Sequence, residues 1–322
     1  MILTLTPNPS LDRTIELPGP LERGEVQRAV RASAHPGGKG VNIVRALTAS
    51  GTDALALLPG DPGDDVVRAL ARENIPHLSL PIGAALRSNV AVTEPDGTTT
   101  KVNEPGPTLS TAQLTSLLEL AVEKSDGASW LVLAGSLPPG APDDFYARVI
   151  AAVRARHGDG APRIAVDSSG APLAASVAAT PDLLKPNAEE LAELTGISDG
   201  RSLEEDPSLA AGVAQKLVDG GVGAVLATLG SKGAVLVTAD GSWLAAGPAI
   251  EAKSTVGAGD SALAGYLLGT LRGDSPAACL QQAVAHGAAA ASLPGTLVPT
   301  LHQTHPDAVA VTALDARLGE HS

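Results

Sequence analysis

Aromatic side chains are scarce in this chain: Trp130, Trp243, Phe145, Tyr146 and Tyr266 are all it has in 322 residues. The apolar fraction is nonetheless 44%, so the core must be built from Ala, Val and Leu. A ring or base entering a pocket would meet aliphatic walls. That argues against single-stranded nucleic acid as a partner, because such binding leans on aromatic stacking. Positive charge is also short, with 22 Lys and Arg against 35 Asp and Glu and a formal net charge of −13. No Lys/Arg cluster is dense enough to follow a phosphate backbone. An anion would have to be held in a local pocket, and the acidic surplus reads as solubility. Cys279 is the only cysteine, which excludes disulfide frameworks and cysteine zinc sites. It lies in an Ala/Val/Leu-rich helical stretch and reads as packing rather than as a nucleophile. No apolar run approaches the roughly 18 residues of a membrane span. The opening "MILTLTPNPS" lacks a basic segment and a long apolar segment, so no signal peptide is expected. The expectation is a cytoplasmic protein with no membrane partner.

The pattern that is present changes along the chain. After a first strand over 2–6, "RTIELPGPLERGEVQRAVRASAHPGG" alternates polar and apolar residues and is broken by Pro and Gly. "RSNVAVTEPDGTTTKVNEPGP" reads alike, with a hairpin turn at Pro95-Asp96-Gly97. Both predict an exposed antiparallel sheet, polar on one face. From about residue 110 the rhythm becomes strand and helix in turn. Helices are expected near 111–125, 142–156, 171–179, 207–219, 258–272 and 276–292. Between them stand short apolar runs such as "WLVLAG" and "GAVLATLG". Strands that are apolar throughout, separated by helices, predict an α/β fold with a parallel sheet covered on both faces. Ligands of such sheets bind at the carboxyl ends of the strands. "TPNPSLD", "AGSLPPG", "DSSG", "KPNAEEL", "TLGSKGA" and "STVGAGD" are therefore expected around one crevice. The antiparallel pieces do not fit the main sheet and suggest a small lid over that crevice. A sheet exposed on two sides needs cover, which pairing with its copy in a homodimer would give.

Within "KSTVGAGDSALAG", Gly257, Ala258 and Gly259 run straight into Asp260 at the mouth of an apolar helix. The first N–H groups of a helix lack internal partners and carry partial positive charge. Asp260 could cap them. A cap needs no small residues before it, however. Bare amides admit an outside anion, with Asp260 beside it as a proton acceptor. "HPGGKGVN" surrounds Lys39 with glycines before a helix; its spacing is not that of a Walker A loop. Asn42 there could bond a sugar hydroxyl or cap the helix. Arg87 and Lys101 stand on or beside the lid strands, either as solvated charges or converging with Lys39 on one phosphate. In "KPNAEEL", Asn187 and Glu190 share a helix face. They suit Mg²⁺ water ligands and nucleotide phosphates, or simply a helix cap. "TLGSKG" alone is a weak glycine loop. His302 and His305 lie in a polar tail without a metal pattern, and Ser136 has no His partner that would make it a nucleophile.

"TPNPSLD", "GGKGVN", "TKVNEPGP", "GSLPPG", "DSSG", "KPNAEEL" and "STVGAGDS", in this order over about residues 1–296, resemble the phosphofructokinase B branch of ribokinase-like sugar kinases. "GGKGVN" with "TKVNEPGP" is similar to the 1-phosphofructokinase and tagatose-6-phosphate kinase group within it. The resemblance implies one ribokinase-like domain over 1–322: a doubly wound, mainly parallel sheet with helices on both faces. Its lid would come from about 12–35 and 87–104. It implies Asp260 as the base and the Gly257, Ala258 and Gly259 amides as the anion hole. Asp12, Gly38 and Asn42 would grip sugar hydroxyls, and Ser136 would line the sugar site. Lys39, Arg87 and Lys101 would hold the substrate's own phosphate. Lys185, Asn187 and Glu190 would serve ATP and Mg²⁺. Thr228, Gly230 and Gly233 would shape the nucleotide pocket, and Ser254 and Val256 carbonyls would bind a monovalent cation such as K⁺.

The expected reaction is ATP-dependent phosphorylation of fructose 1-phosphate to fructose 1,6-bisphosphate. Tagatose 6-phosphate and fructose 6-phosphate are the alternatives, because fructofuranose is nearly two-fold symmetric and one basic cluster could hold either terminal phosphate. A non-catalytic sugar-phosphate-binding regulator is the alternative of another class, although pure binding has no need of a base at position 260.

Overall fold

The computed structural model describes residues 1–197, 199–248 and 250–314; the last eight residues of the span expected as one domain lie outside these. The chain opens with β1 (Ile2–Leu5), β2 (Ser10–Glu16) and β3 (Arg31–Gly37), followed by α1 (Lys39–Ala49). Then come β4 (Ala54–Pro59), α2 (Asp65–Arg72), β5 (His77–Leu80), β6 (Arg87–Thr93) and β7 (Thr99–Asn103). Alternation starts with α3 (Thr111–Lys124), β8 (Trp130–Ala134), α4 (Phe145–His157), β9 (Arg163–Asp167) and α5 (Gly170–Val177). It continues with β10 (Leu183–Leu184), α6 (Ala188–Thr195), α7 (Gly200–Glu205), α8 (Pro207–Asp219) and β11 (Ala224–Thr228). The chain closes with β12 (Ala234–Thr238), β13 (Gly241–Ala246), α9 (Ala258–Arg272), α10 (Pro276–Ala291) and β14 (Ala310–Leu314).

The main sheet has ten strands in the order β14-β13-β12-β11-β10-β9-β8-β1-β4-β5. From β11 to β5 every pair is parallel. The apolar runs explain this: β8 is buried at every residue, so both faces must be covered. Side chains alternate across the sheet. Ile2, Val132 and Leu226 pack with α1, α2, α9 and α10; Leu3, Leu131 and Val225 pack with α3, α4, α6 and α8. The strands after β11 turn antiparallel, because a short loop between β11 and β12 leaves no room for a crossover helix. β5, β13, β14 and α7 were not expected from the sequence. They are short or rich in small and polar residues, and β5 and β14 sit at the sheet edges.

α9 is buried on nearly every face over its first three turns. Gly265 lets it approach α10: a Cβ there would lie 2.5 Å from the Gln282 carbonyl and 2.9 Å from the His286 ring. The position of α9, and of the carboxylate at its start, is therefore fixed by close helix packing.

A second sheet of four strands runs β3-β2-β6-β7. Its β2–β3 and β6–β7 pairs are antiparallel, as the hairpin patterns predict, whereas the seam β2–β6 is parallel. The reason is topological. β2 and β6 continue from β1 and β5, which are parallel members of the main sheet and leave it at the same end. Register puts Asp12, Asn89 and Arg87 on one face, with Lys101 opposite Ala91 on the same side. Ile15, Val90, Val92 and Val102 fall on the other face.

Candidate active site

The carboxyl ends of β1, β8, β9, β10 and β11 deliver Asn8, Ser136, Asp167, Lys185 and Thr228 to one end of the main sheet. The start of α9 reaches the same place. Its N-cap is Gly257, in the left-handed region at φ 77°, and no side chain caps the helix. The cap reading of Asp260 is therefore not realised: its carboxylate points elsewhere, and its Oδ2 accepts a 2.8 Å hydrogen bond from Asn42 Nδ2. Asp260 is buried, and its carboxyl is pushed up to about 6. Burial is the main cause and the charge of Asp167 the next; the Asn42 hydrogen bond, Lys39 and Lys185 pull the other way. A carboxylate so placed is a competent proton acceptor near neutral pH. The amides of the first turn carry no capping side chain, which leaves the partial positive charge of α9 open to an anion.

Asp167, at the end of β9, is fully buried and binds two lysines. Lys39 Nζ lies 2.6 Å from its Oδ1 and Lys185 Nζ 3.3 Å from its Oδ2. The pair of ammonium groups holds Asp167 below the usual carboxylate range despite its burial. Burial alone would lower Lys39, but Asp167 and Glu190 overcome it and hold the ammonium above the ordinary lysine value. Lys39 Nζ also stands 3.4 Å from Glu190 Oε1. A Cβ on Gly259 would sit 3.4 Å from Lys185 Nζ, in ordinary contact, so that cation lies beside the first turn of α9. Asp167 was not singled out in the sequence as a site residue, since "DSSG" carries no sign of its two lysine partners.

The polar face of the small sheet forms the other side. Asp12 Oδ1 accepts from Ser10 Oγ at 2.7 Å and from Asn89 Nδ2 at 3.0 Å. Gly37, on β3, leaves the space that this carboxylate fills. Gly38 follows as the N-cap of α1 at φ 116°, again without a capping side chain. Arg87 donates to the carbonyls of Asn8 and Glu104, each at 3.2 Å. Burial lowers its guanidinium pKa, and Asp12 opposes that. Lys101 is exposed on β7. The Lys39 ammonium is bonded to Asp167 and Glu190 and also feels the charge of Asp260. Asn8, unremarked in the sequence, reaches Ser136 Oγ at 3.4 Å and the Pro105 carbonyl at 3.1 Å, tying β1 to the loops after β7 and β8.

Asn187 and Glu190 form a reciprocal capping box at the start of α6. Asn187 Oδ1 accepts from the Glu190 amide and Glu190 Oε2 from the Asn187 amide. The cap uses one oxygen of Glu190 and leaves Oε1 on Lys39. Thr228 bridges to Asn187. Gly230 and Gly233 both take positive φ, 52° and 98°, which favours glycine, and at Gly233 a Cβ would also collide with the Ala245 carbonyl. Ser254 lies in the loop before α9, its amide donating to the Ala291 carbonyl at 3.2 Å, and the Val256 amide donates to Ser254 Oγ at 3.3 Å. Among the described residues, no group of three His, Cys, Asp or Glu forms a metal cage, and no helix is long and apolar enough to cross a membrane.

Known proteins share this fold. The family model of the pfkB carbohydrate kinases matches residues 6–303. A 1-phosphofructokinase of Haloferax volcanii is 36% identical, covering 98% of this chain and 100% of that one. The Escherichia coli phosphofructokinase-2 structure in complex with potassium superposes with a TM-score of 0.84 at 30% identity, over 94% of this chain and 96% of that one. The same enzyme in complex with fructose-6-phosphate gives 0.81 at 31%, over 90% and 93%. With the bare helix start, its buried carboxylate and its paired lysines in the same frame, the chain belongs to the pfkB family of carbohydrate kinases.

Proposed function

We propose that this kinase transfers the γ-phosphoryl group of ATP to the C6 hydroxyl of fructose 1-phosphate, giving fructose 1,6-bisphosphate and ADP. The observation that carries the reading is Asp260. It is a buried carboxylate pushed up to about 6, beside an uncapped helix start and two lysines. An alcohol becomes acidic only as its oxygen bonds to phosphorus, so a carboxylate poised near neutral pH takes the proton at that moment. Phosphoryl transfer asks mainly for alignment and charge neutralisation. The amides of Gly257, Ala258 and Gly259 supply fixed dipoles, and Lys39 and Lys185 supply charge held in place by Asp167.

Asp12, Gly38, Asn42 and Ser136 take the sugar, and Arg87 with Lys101 takes the phosphate already on it. Asn187, Glu190, Thr228, Gly230 and Gly233 form the nucleotide side. Glu190 Oε1, outside its cap, suits a water ligand of a Mg²⁺ ion held mainly by nucleotide phosphates. When bound, that ion would neutralise phosphate charge. The carbonyls of Ser254 and Val256, in the loop leading into α9, are the proposed seat of K⁺, in line with the potassium complex of the E. coli structure. The small sheet acts as a lid that keeps water from the phosphoryl group. Its apolar face, with Val102 60% exposed, supports a homodimer formed lid to lid. The whole is read as one domain, working where ATP is available, in the cytoplasm.

The substrate follows from the 1-phosphofructokinase relative; the fructose-6-phosphate complex of the structural neighbour makes the 6-phosphates the rival, with transfer to C1. ADP release with ATP and Mg²⁺ is compared for fructose 1-phosphate, fructose 6-phosphate and tagatose 6-phosphate. A dominant kcat/KM for fructose 1-phosphate upholds the reading. Preference for a 6-phosphate keeps the mechanism and changes the substrate, and no turnover leaves a sugar-phosphate-binding regulator.

A further inference from the structure

Ser10, Asp12 and Asn89 form a closed triangle on the polar face of the small sheet. Ser10 Oγ donates to Asp12 Oδ1 at 2.7 Å. Asn89 Nδ2 donates to that same oxygen and to Ser10 Oγ, both at 3.0 Å. The orientation of the Asn89 amide follows from chemistry: turned over, its carbonyl oxygen would face a carboxylate oxygen. In the orientation adopted, Asn89 Oδ1 is buried and has no partner among the described residues. The amide is therefore oriented by what it donates, the pair of bonds to Ser10 and Asp12.

The terminal torsion of an aspartate is soft. Two donors on Oδ1 remove that freedom and use up one oxygen. Oδ2 is left as the free acceptor, lying over Gly37, where a side chain would collide with it. The parallel seam makes this arrangement: it sets Ser10 against Arg87 and Asp12 against Asn89. The clamp thereby joins the strand that carries the sugar-binding carboxylate to the strand that carries the phosphate-binding arginine.

We infer that Asn89 and Ser10 are positioning residues that lock the Asp12 carboxylate with Oδ2 free, so that the site reads a sugar hydroxyl through one fixed acceptor. The inference rests on the placement of the sugar at Asp12 proposed above. Asn89→Leu removes the donor and the unpaired acceptor together. Ser10→Ala removes one donor only and is the milder second variant.

The test measures KM for fructose 1-phosphate and for ATP in Asn89→Leu and Ser10→Ala, each alone and combined with Asp12→Ala. The expected result is a sugar-phosphate KM raised about tenfold in Asn89→Leu and about threefold in Ser10→Ala, the effect of losing a charge-assisted hydrogen bond. The ATP KM stays unchanged and kcat changes less than the sugar KM. In the Asp12→Ala background both effects vanish, because there is no carboxylate left to orient. If the sugar KM is unchanged, or rises equally with Asp12 present and absent, the clamp is overturned while the site stands. If Asp12→Ala alone leaves the sugar KM unchanged, the placement of the sugar and the clamp fall together.

Discussion

Lys39 and Asp167 make the shortest charged contact of the site, Nζ to Oδ1 at 2.6 Å, between residues 128 positions apart in the chain. The contact joins the first residue of α1 to the end of β9. It also fixes how charge is shared, because Asp167 holds Lys185 as well. One fully buried anion thus keeps two cations next to the start of α9. Asp167→Asn would leave both lysines without that partner, and Lys185 is only 4% exposed. Removing one member of a buried pair costs about 3 kcal/mol. Denaturant unfolding of Asp167→Asn is expected to show a loss of that order, and kcat is expected to fall with it, since the lysines lose their fixed positions.

The Asp260 carboxyl, raised to about 6, sets a pH limb. The base works deprotonated, so kcat rises with pH through a midpoint near that value. Asp167 is the second cause of the elevation, and Asp167→Asn should move the limb to lower pH; a limb that stays put would separate the two groups. The same shift acts on stability. Between the ordinary 3.8 and about 6, the folded protein holds a proton that the unfolded chain has released. Stability from this group is full below that window and is lost as pH rises through it. At pH 7 Asp260→Asn is therefore expected to unfold later than the parent, by on the order of 2 kcal/mol.

His286 gives the opposite sign. It is fully buried on α10, with Nδ1 3.1 Å from the Gln282 carbonyl and Nε2 3.4 Å from Ser50 Oγ. Burial lowers its pKa to about 4 from 6.5, the Gln282 hydrogen bond opposes this, and Arg272 adds to it. The unfolded chain takes up the proton first, so stability present above 6.5 is lost as pH falls toward 4. Because Asp260 acts in the opposite sense over nearly the same range, the test is a difference: the melting temperature of the parent, taken relative to His286→Gln, should fall as pH drops from 6.5 to about 4.

The fold was legible where the chain marks its boundaries. α8 and α10 have the expected starts, each with a side-chain cap and a proline in the first turn. α6 ends on Gly196, in the left-handed region that glycine favours. The apolar strands foretold the parallel sheet. β13 and β14 escaped notice because "GSWLAA" and "AVTAL" are too short and mixed for a period to emerge. The site was legible as a set of segments but not as a set of contacts. Lys39 read equally as a phosphate ligand, and only the fold shows that Asp167 and Glu190 hold it. Glu190 presented a cap and a metal ligand as rivals; one oxygen makes the cap and the other faces Lys39. Ser10 and Asn89 carried no signal, since their meeting depends on a parallel seam between strands distant in sequence.

The most direct test is Asp260→Asn, assayed in parallel for sugar-phosphate binding and for turnover with ATP and Mg²⁺. Asparagine keeps the size of the side chain and an acceptor for Asn42 Nδ2, and removes only the base. The expected result is fructose 1-phosphate affinity within about threefold of the parent, with kcat lower by about a hundred- to ten-thousandfold, the range for loss of a general base. Turnover equal to that of the parent would contradict the account and remove Asp260 from the chemistry.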